Sequence, residues 1–261
     1  MISIIIPAFN RDKTVARAVN SAYAFINALN NVECEIIIVD DGSEDNTVEI
    51  VKGLIDKNNA TNTVCRIISH EINKGVCSAK NTGAFNASNE WLIFLDSDDE
   101  LLANAAQELI DIIVHNSETS LHFFRCVDSE NQLIAKELYG SVSISLDEFL
   151  LSGTRGESLP VIRRQHFLNN SYEEDINGFE GLSYAKIIME NGAAKLHNVV
   201  ARVYYTDGDD RLSTAAGVKR RAKSLSVGYF RLISRYHKHI KFKTLLALLV
   251  KYLYHKVRSL S

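Results

Sequence analysis

The chain of 261 residues contains only 2 Pro and 13 Gly. So few leave little room for a flexible linker between domains. Its 4 Cys (Cys34, Cys65, Cys77 and Cys126) are widely spaced, with no Cys-x-x-Cys motif. That excludes a disulfide framework and a zinc site, and it fits a reducing compartment. No apolar run approaches the ~18 residues that a membrane-spanning helix requires. The longest, Leu245 to Val250, is short enough only to lie on a surface. The N-terminus lacks a basic stretch, a long apolar run and a small-residue cleavage site, so no signal peptide is expected. An apolar fraction of 46% and a charged fraction of 23% rule out disorder, collagen and coiled coil. At ~150 residues per domain, one large domain or two small ones are expected.

Acidic residues are missing from the end of the chain. None follows Asp210, whereas 12 of the 29 Lys and Arg lie beyond Ala216. The segment 217–261 therefore carries +12, and the first 216 residues, with 17 bases against 32 acids, carry −15. Such a split suggests a tail that meets a polyanion or an anionic membrane surface; the alternative is a tail packed on its own acidic body.

The first hundred residues alternate between short apolar runs and helical periodicity. Ile2–Ile6, Glu35–Val39, Val64–Ile68 and Trp91–Leu95 read as strands. The stretches 11–29, 46–55 and 75–87 read as helices between them. Continuous apolar strands separated by helices predict an α/β fold, a mostly parallel Rossmann-like sheet with helices on both faces. Beyond it, helices are expected at 101–114, 146–151, 164–168 and 181–191. Strands are expected at 120–127, 132–136 and 194–205, and a largely helical segment at 217–259. In the last segment Phe242, Leu245, Leu246, Leu249, Leu253 and Val257 share one helical face flanked by Lys and Arg. This basic amphipathic pattern reads as membrane-surface binding or as a helix packed on the domain.

Polar clusters follow each of the four early strands: Pro7 to Arg11, Asp40-Asp41-Gly42-Ser43, His70 to Gly75, and Asp96-Ser97-Asp98-Asp99. In open α/β sheets that edge binds ligands. Three carboxylates within four residues repel one another unless a cation compensates, and hard divalent ions such as Mg²⁺ prefer such oxygen ligands. The competing reading is a solvated turn that caps the next helix.

The four segments, in this order and spacing, resemble family 2 glycosyltransferases with the GT-A fold. The resemblance covers about the first 110 residues. It implies an inverting, metal-dependent transfer of a sugar from a UDP-sugar. Asp41 would accept from the uracil, with Pro7, Phe9 and Arg11 around the base and Asp40 supporting the loop. Lys74 and Lys80 would line the nucleotide, Lys80 standing where the family usually has Arg. Asp96-Ser97-Asp98 matches the family's Asp-x-Asp motif. Asp98 would ligate Mn²⁺ or Mg²⁺, with Asp96 on the ribose or the metal shell. The family's base, commonly the acid of a Glu-Asp pair, falls at Glu180; Gly181 replaces the Asp, and Asp175 is the runner-up. Arg211 is the candidate for the diphosphate.

The organisation so implied is a catalytic domain over 1–216 and a basic helical extension over 217–261. Within the domain, 1–115 would be the nucleotide-binding half and 116–216 the acceptor-binding half. The expected acceptor is an undecaprenyl-diphosphate-linked sugar of O-antigen or capsule synthesis. The expected setting is the inner face of the cytoplasmic membrane, with anionic lipid meeting 217–261 and no nucleic acid as partner. Two other readings remain open: a sugar-nucleotide-binding module without transferase activity, kept alive by Gly181, and a nucleotidyltransferase. The second would show a Gly-rich turn after the first strand, which Pro7-Ala8-Phe9-Asn10-Arg11 lacks.

Overall fold

The computed structural model describes residues 1–30, 32–58, 63–206 and 215–260. The first half alternates as β1 (Ile2–Ala8), α1 (Val15–Asn27), β2 (Cys34–Asp40), α2 (Thr47–Asn58), β3 (Val64–Ser69), α3 (Val76–Asn86) and β4 (Trp91–Phe94). These four strands run parallel, with Ile4 beside Ile36 and Ile93. Every residue of β1 and β2 is buried, as a sheet covered on both faces demands. Side chains alternate between the two cores. Ile4 and Ile6 join Val15, Val19 and Phe25 of α1, while Ile5 meets Cys77, Ala79 and Ala84 of α3. Glu35 of β2 is buried among these strands. Burial alone would raise the Glu35 carboxyl, but hydrogen bonds from Ser3, Ser88 and Arg66 outweigh it and hold it below the usual range.

The second half adds β5 (Glu100–Leu101), α4 (Ala106–His115), β6 (Leu121–Val127), β7 (Val142–Ile144), α5 (Leu146–Ser152), β8 (Ser158–Arg163), α6 (Arg164–Asn169), α7 (Gly181–Asn191) and β9 (Ala194–Val203). The sheet order is β3-β2-β1-β4-β8-β6-β9-β5, with β7 also on β9. The strand β8, absent from the sequence reading, runs antiparallel between β4 and β6. Its Pro160 masked it, since proline cannot donate within a ladder. The β4 ladder ends at Ile93 and Val161, just short of that proline. The strand expected at 132–136 forms only isolated bridges, Val127 with Leu133 and Ala135 with Gly156. The helix expected from Leu101 begins at Ala106, because Glu100 and Leu101 pair with β9 instead.

The C-terminal helices are α8 (Ala215–Arg220), α9 (Ala222–Tyr236) and α10 (Phe242–Arg258). Leu232, Tyr236 and Leu248 are buried in one cluster with Leu150 of α5 and Leu182 of α7. Arg231 and Arg235 pair with Glu173, and the backbone N–H of Lys241 donates to Asp147 at 2.7 Å. The described part of the C-terminal segment, 217–260, thus packs on the acidic body through one face. The other face of α10 leaves Phe242, Leu246, Val250, Leu253 and Val257 exposed.

Candidate active site

The carboxyl ends of β1 to β4 surround a cleft of about 400 Å³. Its first wall is the loop after β1, lined by Pro7, Phe9 and Arg11. Asn10 adopts a φ of 52° and is fixed on both sides. Its N–H donates to Ser43 and its side-chain oxygen accepts from the Glu44 N–H, each at 2.9 Å. The Arg11 N–H donates to the Thr47 hydroxyl at 2.7 Å. These bonds tie the loop after β1 to the loop after β2 and delay the start of α1 to Val15.

Asp41 is 2% exposed and organises the second wall. Its carboxylate accepts from the N–H groups of Lys74 at 2.9 Å and Gly75 at 2.7 Å. The His70 ring lies 2.7 Å away and reaches the Thr82 hydroxyl with its other nitrogen. Three partners leave about one lone-pair site of the four on this carboxylate for a ligand donor. Lys74 meets the site through its backbone, its side chain being exposed. Asp40 is buried and accepts from the Ser43 N–H at 3.2 Å, bracing the turn. Gly75 has φ 93°, and a Cβ there would lie 2.8 Å from the Asn177 side chain. Only glycine lets the loop both turn and approach Asn177.

The third wall is a charge network. Lys80, 7% exposed, places its Nζ 3.0 Å from Asp96 Oδ1 and 3.2 Å from Glu180 Oε1. Burial would lower the Lys80 ammonium, but Asp96 and Glu180 raise it well above its ordinary value. Burial would likewise raise Asp96; the Lys80 and Arg202 charges outweigh it and hold that carboxyl low. Arg202 also pairs with Asp99 at 3.3 Å and Glu157 at 3.5 Å. Burial pushes Asp99 up to about 7; Arg202 opposes the rise, and Asp96 and Asp98 add to it. Ser97 is buried and Asp98 half-buried, and both line the cleft. Arg17 of α1 donates to the Asp98 carbonyl oxygen and lies over the Tyr205 ring, which fixes this turn.

Glu180 stands at the start of α7 without capping it, so its carboxylate is left to the cleft. A second cleft of about 370 Å³ opens on its other side. Phe123, Phe149 and Tyr184 form an aromatic wall there, with Thr154, Glu157 and Ser158 as polar groups. The two clefts share Lys80, Asp96, Glu180 and Tyr204.

Asp175, the runner-up base, lines neither cleft. Arg231 holds both its oxygens, at 2.9 and 2.5 Å, on the outer surface, where it fastens α9. Arg211 lies outside the described residues. The sequence reading assigns no role to Arg202 or Arg221, which both line the clefts, and marks His70 only as the start of the polar cluster after β3. For Arg202 a signal existed: a lone arginine within the apolar run Val199 to Val203.

Among the described residues no group of three His, Cys, Asp or Glu converges as a full protein-made metal site. A hard divalent ion of the Mg²⁺ type keeps its waters and takes one or two carboxylates plus substrate phosphates. Asp98 and Asp96, both on the cleft wall, fit that donor set.

Comparison with known proteins bears on the family and the fold. The description "Glycosyl transferase family 2" matches residues 3–169. The GalNAc(5)-diNAcBac-PP-undecaprenol beta-1,3-glucosyltransferase of Campylobacter jejuni is 27% identical over 88% of this chain and 72% of its own length. The Escherichia coli UDP-Glc:alpha-D-GlcNAc-diphosphoundecaprenol beta-1,3-glucosyltransferase WfgD is 27% identical over 52% of this chain, which spans half of that relative. The crystal structure of S. aureus TarS 1–349 in complex with UDP-GlcNAc superposes with a TM-score of 0.71 at 14% identity, over 97% of this chain and 72% of that one. That likeness shows the fold. A family match running from β1 through β8 to α6, over the strand ends that build the first cleft, establishes that this chain belongs to glycosyl transferase family 2.

Proposed function

We propose that this chain is an inverting, metal-dependent glycosyltransferase that moves a sugar from a UDP-sugar to a hydroxyl of a lipid-diphosphate-linked sugar. One observation carries the reading: Glu180 is on the wall common to two clefts, across Lys80 from Asp96. The first cleft would take the nucleotide, with the base between Pro7, Phe9 and Arg11. The second, with its aromatic wall and polar groups such as Thr154, Glu157 and Ser158, suits a sugar ring.

Glu180 would accept the proton of the attacking hydroxyl, and Lys80 would hold its carboxylate in place. Attack from the side opposite the diphosphate turns a UDP-α-sugar into a β-linkage. Asp98, with Asp96 beside it, would hold Mn²⁺ or Mg²⁺, whose chemistry there is to offset charge on the departing diphosphate. Both curated relatives described above are beta-1,3-glucosyltransferases named for undecaprenol-linked acceptors, which supports a lipid-linked acceptor in O-antigen or capsule synthesis. The reading as a mere binding module would have a site without a base; Glu180, on the wall common to both clefts, is the candidate for one.

The same reading puts the protein on the cytoplasmic face of the membrane. No described helix is long and apolar enough to cross one. The exposed apolar face of α10, flanked by the exposed Lys241, Lys243 and Lys256, suits the interface of an anionic bilayer. The testing experiment is a panel of UDP-sugars with Mn²⁺ and a GlcNAc-diphosphate-lipid analogue. Transfer that EDTA abolishes supports the proposal; binding without transfer of any donor, or turnover undiminished in EDTA, contradicts it.

A further inference from the structure

The loop that leads into Glu180 is gripped from two sides. On the side of α3, the Gly178 N–H donates to Cys77 Sγ at 3.3 Å, and the Asn177 side-chain oxygen accepts from the Cys77 N–H at 3.4 Å. On the other side stand the C-terminal helices. Arg221, which directly precedes α9, donates to the Gly178 carbonyl oxygen at 2.7 Å. Gly178 and Glu180 line the first cleft, but Phe179 between them does not. Its ring turns to α9, where a Cβ on Gly228 would lie 2.7 Å from the ring's Cγ and Cδ1. Tyr229 meets the same ring edge to face, with centroids 5.1 Å apart and planes at 85°. Behind Tyr229, His255 of α10 stacks at 5.6 Å with its plane 9° away. Ring contacts thus run from α10 through Tyr229 to Phe179, the residue before Glu180.

Glycine is a poor helix former, yet Gly228 lies well inside α9. Its use there is the room it leaves for the Phe179 ring. Glu180 itself does not cap α7, so its carboxylate is aimed by Lys80 and by the backbone that carries it. That backbone turns at Gly178 with φ 72°. We infer that Gly228 and Tyr229 are positioning residues for the proposed base: they seat the Phe179 ring, and the seated ring sets where Glu180 meets the attacking hydroxyl. The inference rests on the proposed function and deepens it. It makes α9 and α10 part of the transfer machinery, although both lie beyond residues 3–169, which the family description matches. Neither Gly228 nor Tyr229 lines either cleft, so their signature is lost turnover with donor binding kept.

The test measures kcat and UDP affinity on the full chain with Mn²⁺, the active UDP-sugar and a GlcNAc-diphosphate-lipid analogue. In Gly228→Ala the ring must retreat by about 1 Å to reach ordinary carbon contact. Misplacement of that size should lower kcat roughly ten- to hundredfold and leave the Kd for UDP unchanged. Phe179→Ala should lower kcat by itself, and adding Gly228→Ala to it should change little further, because the ring that the methyl strikes is gone. Tyr229→Leu should also lower kcat, and Tyr229→Phe, which keeps the ring, should recover most of that loss. A Gly228→Ala chain with parental kcat overturns the inference. So does one whose kcat and UDP affinity fall together, or a double variant in which the two losses multiply, because either marks a general loss of packing. If Gly228→Ala does not fold, the Tyr229 pair decides: parental kcat in Tyr229→Leu, or Tyr229→Phe as slow as Tyr229→Leu, overturns the inference. Glu180→Gln is measured beside them. If it transfers at the parental rate, the base reading falls and this inference with it; if it is slow while Gly228→Ala keeps the parental rate, this inference alone falls.

Discussion

Lys80 and Glu180, 100 residues apart in the chain, meet at 3.2 Å on the wall between two clefts. Lys80 comes from α3, in the half that carries the nucleotide motifs, and Glu180 from the start of α7. Asp96 completes the bridge at 3.0 Å. A single ammonium therefore positions the candidate base against the carboxylate cluster that follows β4.

Removing that ammonium tests the bridge. Lys80→Met keeps the length of the side chain and deletes its charge, taking the ammonium from Glu180 and leaving Asp96 to Arg202. Breaking a buried pair costs about 3–5 kcal/mol; Asp96 and Glu180 keep side-chain exposures of 38% and 23%, so solvent screening places the effect below that range. The melting temperature should fall, and transfer should fall by more than the fold does. Lys80→Arg should fold as the parent does. A Lys80→Met variant with parental melting temperature and activity contradicts the bridge.

A second buried group sets an acid limit on stability. His122 and His197 face each other between β6 and β9, 2.9 Å apart. The outer nitrogen of His122 lies 3.2 Å from the Thr119 carbonyl oxygen, and that of His197 lies 2.8 Å from the Ser141 hydroxyl. The carbonyl can only accept, so His122 donates to it, His197 donates to His122, and Ser141 donates to His197. Every ring proton is used with both rings neutral. Burial lowers His122 to about 3, with His197 adding to the drop, and burial lowers His197 to about 4. The unfolded chain takes up protons below about pH 6.5 that the folded chain refuses. Stability should therefore fall as pH drops from about 6.5 towards about 4, by up to roughly 2 kcal/mol per ring at pH 5. His197→Gln removes one titrating ring and keeps a donor and an acceptor. The difference between its urea midpoints at pH 7 and pH 5 should be smaller than the parent's. An equal difference contradicts the assignment.

The outer face of α10 gives a third test. Truncation would strip Tyr236 and Leu248 from the core, so substitution is the cleaner probe. Leu246 and Leu253 are 51% and 57% exposed. The pair Leu246→Glu and Leu253→Glu should leave the melting temperature and transfer to a short soluble acceptor intact. It should release the protein from vesicles containing phosphatidylglycerol. High salt should release the parent only in part, because burial of apolar surface is unscreened. A parent that ignores such vesicles contradicts a membrane role for this face.

What could be read from the sequence was local. The buried strands β1 and β2 announced themselves as apolar runs, and Asp41 and Asp96 as polar clusters at strand ends. Glu180 came only through the family resemblance, as the acid that matches the Glu of its Glu-Asp pair. Contacts between distant segments were not legible. Asp175 is a competing acid in sequence, and only the packing of α9 gives it to Arg231. Pro160 hid a central strand because the end of the β4 ladder, which excuses the missing N–H, is a property of the sheet. The charge split of the chain was visible, but it left open whether the tail faces solvent or body. The helix α10 does both, burying Thr244, Leu248 and His255 and presenting the opposite face.

The central claim is that Glu180 is the base of a sugar transfer. Glu180→Gln is nearly isosteric and removes only proton acceptance. The direct measurement is single-turnover transfer from the active UDP-sugar to a GlcNAc-diphosphate-lipid analogue, alongside UDP affinity in the same preparation. The account predicts a loss of ~10²–10⁴ in the transfer rate with unchanged UDP affinity. A Glu180→Gln chain that transfers at the parental rate contradicts it.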